Sequence, residues 1–346
     1  MGSPKTDDVA VTHDTEASPT GEHPSPSSIT DLIGDGLVGF FLAILRLLPR
    51  RTCHRSARGL GRLLYALGGS RRKESVERAQ ELLGVTEREA RSIVLGSYQT
   101  LVLNVVEPLQ WIGAKGGEEW LDRVEIQGRE HLEEAFQSGR PVLLCSGHIG
   151  AWELIPMIVG RLEKPIWVIG RPFANARLNV RLDRSKRPGV AGSIDKDEVR
   201  KLTEVMRRGE ALLALLDQRA RRHGLVMPFL GRPASQHRLA GAMGRRLKAL
   251  CLPVYVIRKN TPFQWKLVVE APVEVRADLE GLEAELDVMS AISDSLENLV
   301  RSHPEQWLWI HDRWYRAETG RETATMGQQA GDGESSSATP EGTNLS

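Results

Sequence analysis

The sequence predicts an α/β fold with a mainly parallel central sheet, helices on both faces, and membrane-associating helices at its N-terminal end. Short apolar runs rich in β-prone residues alternate with helical stretches, a pattern typical of parallel strands covered by helices. The predicted ordered part, residues 29–317, is long enough for one large α/β domain. An apolar segment followed by a basic stretch precedes the first of these strands.

Four apolar runs are predicted to form buried strands, and helical patterns separate them. The runs are 141–145 (PVLLC), 165–169 (PIWVI), 211–216 (ALLALL) and 252–257 (LPVYVI). Helices are predicted at 128–138, 151–161, 175–185, 195–208 and 236–250, and two more within 74–112, where Thr86 and Glu89 form a capping-box signature. Parallel strands present their carboxyl ends at one sheet edge, so polar residues that follow the runs are candidates for a shared site.

Composition excludes several classes of protein. The 46 Lys and Arg residues nearly balance the 45 Asp and Glu residues, so bulk charge does not favour nucleic-acid binding. Three widely spaced cysteines form neither a disulfide framework nor a zinc ribbon, and they suit a reducing compartment. No apolar run has the length of a membrane span, and no cleaved signal sequence is predicted. Residues 1–28 and 318–346 are predicted to be disordered tails because they contain few large apolar side chains.

The segment at about 31–49 is predicted to be an apolar helix, and the chain from 36 to 73 contains no acidic residue. The bases of this stretch are Arg46, Arg50, Arg51, Arg55, Arg58, Arg62, Arg71, Arg72 and Lys73. An apolar helix joined to a basic stretch is typical of an interfacial anchor on an anionic membrane surface. A buried core helix followed by a solvated basic face fits the same pattern equally well.

The sharpest local signal is SGHIGAWE, at residues 146–153, directly after the first predicted strand. Within one regular helix, His148 and Glu153 would lie about 140° apart around the axis and could not meet. His148 is therefore predicted to precede the helix, at a turn that Gly147 and Gly150 permit. An imidazole oriented by a carboxylate there acts as a general base on a substrate hydroxyl. The alternative is a helix-capping carboxylate beside an incidental histidine.

Other readings of the same residues are weaker. Cys145 and Ser146 lack the Gly-x-Ser-x-Gly pattern of a nucleophile elbow, so covalent catalysis is not predicted. A metal hydrolase would recruit His148, Glu153, Asp217, His223 or His237, but the sequence lacks the helical His-Glu-x-x-His pair, and no metal is predicted. A membrane-binding protein without catalysis would have lost the histidine or the glutamate. The alternating aromatics of QWLWI, at 306–310, are predicted to form a strand packed on the core, and a membrane-interface belt of Trp307, Trp309 and Trp314 is the alternative.

Four segments together resemble a known family. They are SGHIGAWE, GRPFANARLNVRLDRSKR at 170–187, LLDQRARRHGLVMPFLGRPA at 215–234 and HPEQWLWIHDRW at 303–314. In this order they resemble the late acyltransferases of lipid A biosynthesis, the lauroyl and myristoyl transferases of the lysophospholipid acyltransferase superfamily. The resemblance covers nearly the whole predicted domain.

This resemblance implies an enzyme that moves a fatty acyl chain from an acyl thioester to a hydroxyl of a membrane glycolipid. The implied donor is acyl carrier protein or acyl-CoA, with no cofactor besides this co-substrate. The expected acceptor is a lipid A precursor, and another phospholipid or mannosylated phosphatidylinositol is the alternative. The implied location is the cytoplasmic face of the bacterial inner membrane, with the protein peripheral or N-terminally anchored.

The resemblance also assigns roles to individual residues. His148 and Glu153 match the family's His-x4-Asp/Glu motif, as general base and orienting carboxylate. The residues implied to bind substrate are Arg171, Asn175, Arg187, Asp217 and Gln218. We expect Arg171, Arg187 and Asp217 to share the sheet edge of His148, where an arginine fork holds a phosphate or stabilises an oxyanion.

The family's Pro-Phe-Phe-Gly run reads Pro-Phe-Leu-Gly at 228–231. Ala176 stands where the family has proline after the asparagine, and Gly147 stands where it often has asparagine before the histidine. Because of these departures, the resemblance does not determine which lipid is the acyl acceptor. The bases of 217–248 suit phosphorylated lipid head groups or the acidic surface of acyl carrier protein, and a salt-bridged surface is the alternative.

Overall fold

The computed structural model describes residues 48–113, 117–170, 189–220 and 224–314. Within them the protein is an α/β domain built around a seven-stranded sheet, so the predicted fold class is confirmed. The predicted tails, nearly all of the apolar segment at 31–49, and the predicted helix at 175–185 lie outside the described residues.

The described residues form α-helices and strands that alternate along most of the chain. The helices are α1 (Arg50–Leu67), α2 (Gly69–Leu83), α3 (Glu87–Gly113), α4 (Arg129–Gln137), α5 (Ile155–Leu162), α6 (Val199–Arg207), α7 (Leu239–Leu247) and α8 (Gly281–Ser302). The strands are β1 (Val124–Gln127), β2 (Val142–Ser146), β3 (Ile166–Ile169), β4 (Val190–Ile194), β5 (Leu212–Leu215), β6 (Leu225–Phe229), β7 (Arg232–Gln236), β8 (Leu250–Arg258) and β9 (Trp265–Val269). Short 3-10 turns lie at Gly117–Arg123, Trp152–Leu154 and Pro304–Gln306.

The large sheet has the strand order β1-β9-β8-β2-β5-β3-β4. All neighbours in it are parallel except β8 and β9, and β6 and β7 form a separate antiparallel hairpin. Each of the four predicted strand runs overlaps an observed strand, namely β2, β3, β5 and β8. The order places β2 beside β5, although β3 and β4 lie between them in sequence.

Helices cover both faces of the sheet, as predicted. On one face, Leu144 and Leu213 pack with buried residues of α4 and α5. On the other face, Leu143 and Leu212 pack with buried residues of α6, α7 and α8. Because neighbouring side chains of a strand point to opposite faces, β2 is buried along its whole length.

The N-terminal helices form a layer of their own. Helix α1 packs on α3 through small residues, and a Cβ added to Gly61 would lie 2.6 Å from the Cα of Gln99. The predicted capping box begins α3, where the Thr86 N–H donates to Glu89 at 2.8 Å and the Glu89 N–H donates to the Thr86 hydroxyl at 3.3 Å. None of the described helices combines the length and the hydropathy that a bilayer crossing requires.

The aromatic run after α8 is part of the core, but the predicted strand there is wrong. Trp307, Trp309 and Trp314 are buried, and they cluster with Phe229. The segment makes only isolated bridges, Trp307 with Ile149 and Trp314 with Ala234. Its backbone bonds instead to turns and side chains, since the Trp309 N–H donates to Ser97 Oγ at 3.1 Å. The alternating aromatic residues of this segment therefore indicate burial in the core, and they do not indicate a β-strand.

Candidate active site

Two neighbouring parallel strands bring His148 and Asp217 together. Strand β2 ends at Ser146 and β5 ends at Leu215, and these two residues lie directly opposite each other in the register. The Leu216 N–H donates to the Ser146 carbonyl at 2.8 Å, which extends the pairing past the last residues. His148 and Asp217 each come two residues after the strand end, so the register alone sets them side by side.

The carboxylate of Asp217 forms two hydrogen bonds with His148. His148 Nδ1 lies 2.6 Å from Asp217 Oδ1, and the His148 backbone N–H donates to Oδ2 at 2.8 Å. The Trp307 indole N–H also donates to Oδ2, at 2.9 Å. The Asp217 side chain is only 4% exposed. These contacts hold the carboxylate in one orientation and the imidazole against it.

The charges of the pair stabilise one another. Burial alone raises the pKa of Asp217, but the charge and hydrogen bond of His148, with smaller effects of Arg313 and Trp307, outweigh it and leave this pKa well below its usual range. Burial alone lowers the pKa of His148, yet Asp217 and, less strongly, Glu153 raise it above its ordinary value. Asp217 is therefore an ionised acceptor, and it selects the tautomer in which His148 carries its proton on Nδ1.

This tautomer leaves Nε2 of His148 as the proton acceptor. The Gln218 amide nitrogen lies 3.2 Å from Nε2, the distance of a hydrogen bond that an amide N–H donates to a basic nitrogen. The His148 side chain is 16% exposed, so it is reachable from solvent, unlike Asp217. Nε2 is thus the atom of the pair that can remove a proton from a bound hydroxyl.

The structure gives the orienting contact to Asp217, whereas the sequence predicted it for Glu153. Glu153 lies in the 3-10 turn Trp152–Leu154, and its effect on His148 is a through-space attraction. Its expected catalytic role stays a prediction. Asp217 was expected to hold substrate, but its oxygens face His148 and Trp307. Sequence spacing identified the histidine and its turn, but not the carboxylate that arrives from another strand.

The turn that carries His148 depends on glycine. Gly150 has a φ of 60°, and a Cβ there would lie 2.0 Å from the carbonyl oxygen of Val256. A Cβ at Gly147 would lie 3.1 Å from Asp217 Oδ2 and 2.9 Å from Leu296. Both glycines therefore permit close approach of the turn to its neighbours, as the sequence predicted.

Two further segments hold this turn in place. Asn104 of α3 donates from its side-chain nitrogen to the Gly150 carbonyl at 2.8 Å. The Gly150 N–H donates to the Gln306 carbonyl at 3.0 Å, and the Leu308 N–H donates to the His148 carbonyl at 3.0 Å. The histidine is therefore fixed by the sheet, by α3 and by the aromatic C-terminal segment together.

The remaining predicted substrate-binding residues have different outcomes. Arg171, Asn175 and Arg187 lie outside the described residues. Gln218 lies at the site, beside His148. Next to it, the Arg219 N–H donates to His311 Nε2 at 3.2 Å, which ties the chain after β5 to the C-terminal segment.

Much of the basic stretch 217–248 is salt-bridged. Arg238 and Arg245 both pair with the buried carboxylate of Glu285, at 2.7 and 2.9 Å, and Arg232 pairs with Glu81 at 3.1 Å. Intramolecular pairing lowers the positive charge these arginines offer to an acidic partner. For them the structure supports the salt-bridged alternative that the sequence left open.

The cysteine just before the turn of His148, Cys145, is buried. Burial, and then Cys251, raise the pKa of the Cys145 thiol well above its ordinary value, which keeps the sulfur in its less reactive thiol form. Among the residues that the structure describes, no cluster of three or more His, Cys, Asp or Glu side chains is arranged to hold a metal ion.

The site also contains residues that sequence analysis missed. Trp307 donates to Asp217, and the buried Arg313 acts on the same carboxylate through space. Both belong to the HPEQWLWIHDRW segment. The only indication of a functional role was that this segment is one of the four that resemble the family. Nothing in its spacing indicates that it would reach a residue about ninety positions earlier in the chain.

The chain is similar to known acyltransferases. A family model described as bacterial lipid A biosynthesis acyltransferase matches residues 25–316. The lipid A biosynthesis palmitoleoyltransferase of Escherichia coli (strain K12) is 22% identical over 258 residues, which cover 72% of this chain and 81% of that protein. The lipid A biosynthesis acyltransferase of Shigella flexneri has the same identity over the same length. Among solved structures, the 1-acyl-sn-glycerophosphate (LPA) acyltransferase PlsC from Thermotoga maritima is similar at 15% identity and a TM-score of 0.33, covering 70% of this chain and 97% of that one.

Proposed function

This chain belongs to the bacterial lipid A biosynthesis acyltransferase family and is an acyltransferase, and we propose that it esterifies a hydroxyl of a membrane glycolipid with a fatty acyl chain taken from a thioester. The observation that carries this proposal is the partly exposed His148 imidazole, held at Nδ1 by the buried Asp217, with an Nε2 that accepts from the Gln218 amide. Such an imidazole activates a hydroxyl nucleophile supplied by the substrate itself.

The reaction follows from the two ring nitrogens. His148 Nε2 accepts the proton of the acceptor hydroxyl while its oxygen attacks the thioester carbonyl carbon. Asp217 stabilises the imidazolium that forms, because the Nδ1–H donates to its ionised carboxylate. The carbon–sulfur bond then breaks, and the imidazolium returns the proton to the leaving thiolate. The products are an ester and a free thiol, and no acyl-enzyme forms.

We assign the remaining roles by their position or by the family resemblance. Gln218 donates to Nε2 in the free enzyme, and the acceptor hydroxyl takes its place at that nitrogen. Arg171 and Arg187 hold phosphate or the developing oxyanion, with Asn175 beside them, and this assignment rests on the resemblance alone. Glu153 contributes the negative charge that favours the imidazolium.

The relatives suggest the substrates. The curated proteins similar to this chain bear names from lipid A biosynthesis, and one is named a palmitoleoyltransferase. A lipid A precursor is therefore the proposed acceptor, with acyl carrier protein or acyl-CoA as donor and no further cofactor. Mannosylated phosphatidylinositol or another phospholipid is the second candidate, because Ala176 and Gly147 depart from the motifs of the family.

Helix α1 supports a peripheral position on the cytoplasmic side of the inner membrane. Leu60, Leu63 and Leu67 are 43%, 53% and 73% exposed, so large apolar side chains face outward together on this helix. The chain around them, 36–73, contains arginines and lysine but no acidic residue. Exposed leucines within a basic stretch suit the interface of an anionic leaflet, which brings the lipid acceptor to the enzyme.

An acylation assay with several acceptors tests the proposed function. The purified full-length chain is incubated with acyl-carrier-protein or CoA thioester and with a lipid A precursor, a phosphatidylinositol mannoside or a lysophospholipid. Mass spectrometry is expected to detect one added ester-linked acyl chain on the lipid A precursor, in the presence of EDTA and only with thioester. Acylation of the inositol lipid alone would select the second candidate, and thioester hydrolysis without any ester would contradict the proposal.

A further inference from the structure

A second charged group lies behind the catalytic pair. Arg313 is only 1% exposed, and its guanidinium lies 3.8 Å from the centre of the Phe229 ring. Within the described residues, its Nε and Nη1 atoms are buried without a hydrogen-bond partner. Burial of a charged guanidinium whose donors lack partners costs free energy of folding. The fold nevertheless holds Arg313 in this position.

Arg313 lies close to the chain that carries the pair. A small cavity is lined by Arg313 together with Ser146 and Leu216, which come just before the turns of His148 and Asp217. Phe229, under the guanidinium, also packs against Trp307, the indole that donates to Asp217. His148 therefore acts on Asp217 through its charge and a hydrogen bond, whereas Arg313 acts through its charge alone. The positive charge of Arg313 lowers the pKa of the Asp217 carboxyl through space.

We propose that Arg313 is a positioning residue whose buried positive charge balances Asp217 and thereby weakens the attraction of this carboxylate for a proton on His148. With a neutral imidazole, the buried charges of Asp217 and Arg313 cancel. Protonation of His148 leaves one net positive charge in the protein interior, which burial disfavours. A general base must be unprotonated before it can act, so Arg313 prepares the step assigned to His148 in the proposed function.

Removal of Arg313 reverses this balance. Without the guanidinium, the neutral imidazole leaves Asp217 as an uncompensated buried anion, whereas the imidazolium neutralises it. The protonated form of His148 is then favoured more strongly than in the unmodified protein. Arg313 itself stays charged near neutral pH, because burial lowers its pKa only to about 10.

The neighbouring titratable groups do not supply this charge. Burial lowers the pKa of His237 and of His311, so both are neutral where His148 acts, and burial raises that of Tyr255. Glu297 accepts the Leu230 N–H at 2.7 Å and pairs with Arg301, and it also attracts Arg313. Glu153 faces His148 with a negative charge, whose effect opposes that of Arg313.

The test is an NMR titration of the His148 imidazole in the full-length protein, identified by its loss in His148→Ala. Arg313→Met is expected to move the midpoint to higher pH by about one unit, the size typical of removing a nearby charge, while Arg313→Lys leaves it unchanged. Arg258→Met is the matched control, because it removes a buried arginine that pairs with Glu107. An unmoved midpoint in Arg313→Met, or an equal shift in Arg313→Lys, would overturn the proposal.

A second measurement covers the case in which Arg313→Met does not fold. The Asp217→Asn/Arg313→Met double variant lacks both buried charges, so its melting temperature is expected to fall by less than the sum of the two single losses. A fully additive loss, or a double variant that does not fold although Asp217→Asn does, would contradict the charge balance. Neither measurement requires activity, so both remain informative if the protein acylates no lipid.

Discussion

Asp217 determines which nitrogen of His148 is basic, and this makes it the most informative single residue to change. Asparagine fills the same space but offers no ionised acceptor to Nδ1–H, so the tautomer and the imidazolium both lose their support. We expect Asp217→Asn to lower kcat/KM by about 10² or more. Acyl-transfer kinetics on Asp217→Asn protein that circular dichroism shows to be folded measure this loss, and a near-normal rate would remove Asp217 from the mechanism.

Glu153 is expected to affect the pH profile more than the geometry. The attraction of Asp217 and Glu153 raises the His148 pKa, so activity should decline as pH falls through a value above the ordinary one of about 6.5. Removing the Glu153 charge lowers this pKa, and the acidic limb of kcat/KM should therefore move to lower pH in Glu153→Gln. A severe loss at every pH with an unmoved limb would instead restore the orienting role that the sequence predicted.

At the scale of elements, the turn between β2 and the helix α5 holds the histidine, and Gly150 is its critical position. Gly150→Ala places a methyl group against the Val256 carbonyl, in a backbone conformation that alanine disfavours. We expect this variant to lose both thermal stability and activity. Gly139→Ala is the control, because Gly139 also has a positive φ but no atom within 4 Å of an added Cβ. Equal melting temperatures and rates for both variants would contradict the role of close approach.

Three of the four strands that the sequence predicted are buried along almost their whole length, and the fourth, β3, is fully buried only at Ile166. Strands β2 and β8 are apolar nearly throughout, and β5 is almost equally so. Strands β1, β4 and β9 were not predicted, because more exposed residues alternate with more buried ones along them. Their placement at or near the sheet edges follows from contacts with distant segments, which periodicity within one segment does not report.

The candidate site was predictable only in part, for a related reason. His148 and its glycine turn form a local pattern, so the sequence was sufficient to identify them. The contact with Asp217 depends on β2 pairing with β5, although β3 and β4 lie between them in sequence, and Glu153 was the nearer carboxylate along the chain. Trp307 and Arg313 reach the site from the end of the domain, a placement that only the assembled fold determines.

For the whole molecule, helix α1 is expected to join the domain to a lipid surface. Leu63→Ser/Leu67→Ser should reduce the partitioning of the full-length protein onto anionic liposomes by about tenfold or more, since two exposed apolar side chains are lost. Leu282→Ser is the matched control, because Leu282 is 41% exposed but lies at the start of α8. High salt should weaken the binding of the unmodified chain by screening its arginines. Sedimentation that neither the double variant nor salt changes would contradict this surface.

The most direct test of the account is the single-turnover rate of acyl transfer by His148→Ala, measured beside the unmodified protein with the same thioester and acceptor lipid. Direct attack by a hydroxyl that His148 deprotonates predicts a rate lower by about 10² or more, with no acyl chain bound covalently to either protein. A folded His148→Ala protein that transfers acyl chains at a near-normal rate, or an acyl-enzyme that forms and decays at the rate of turnover, would contradict it.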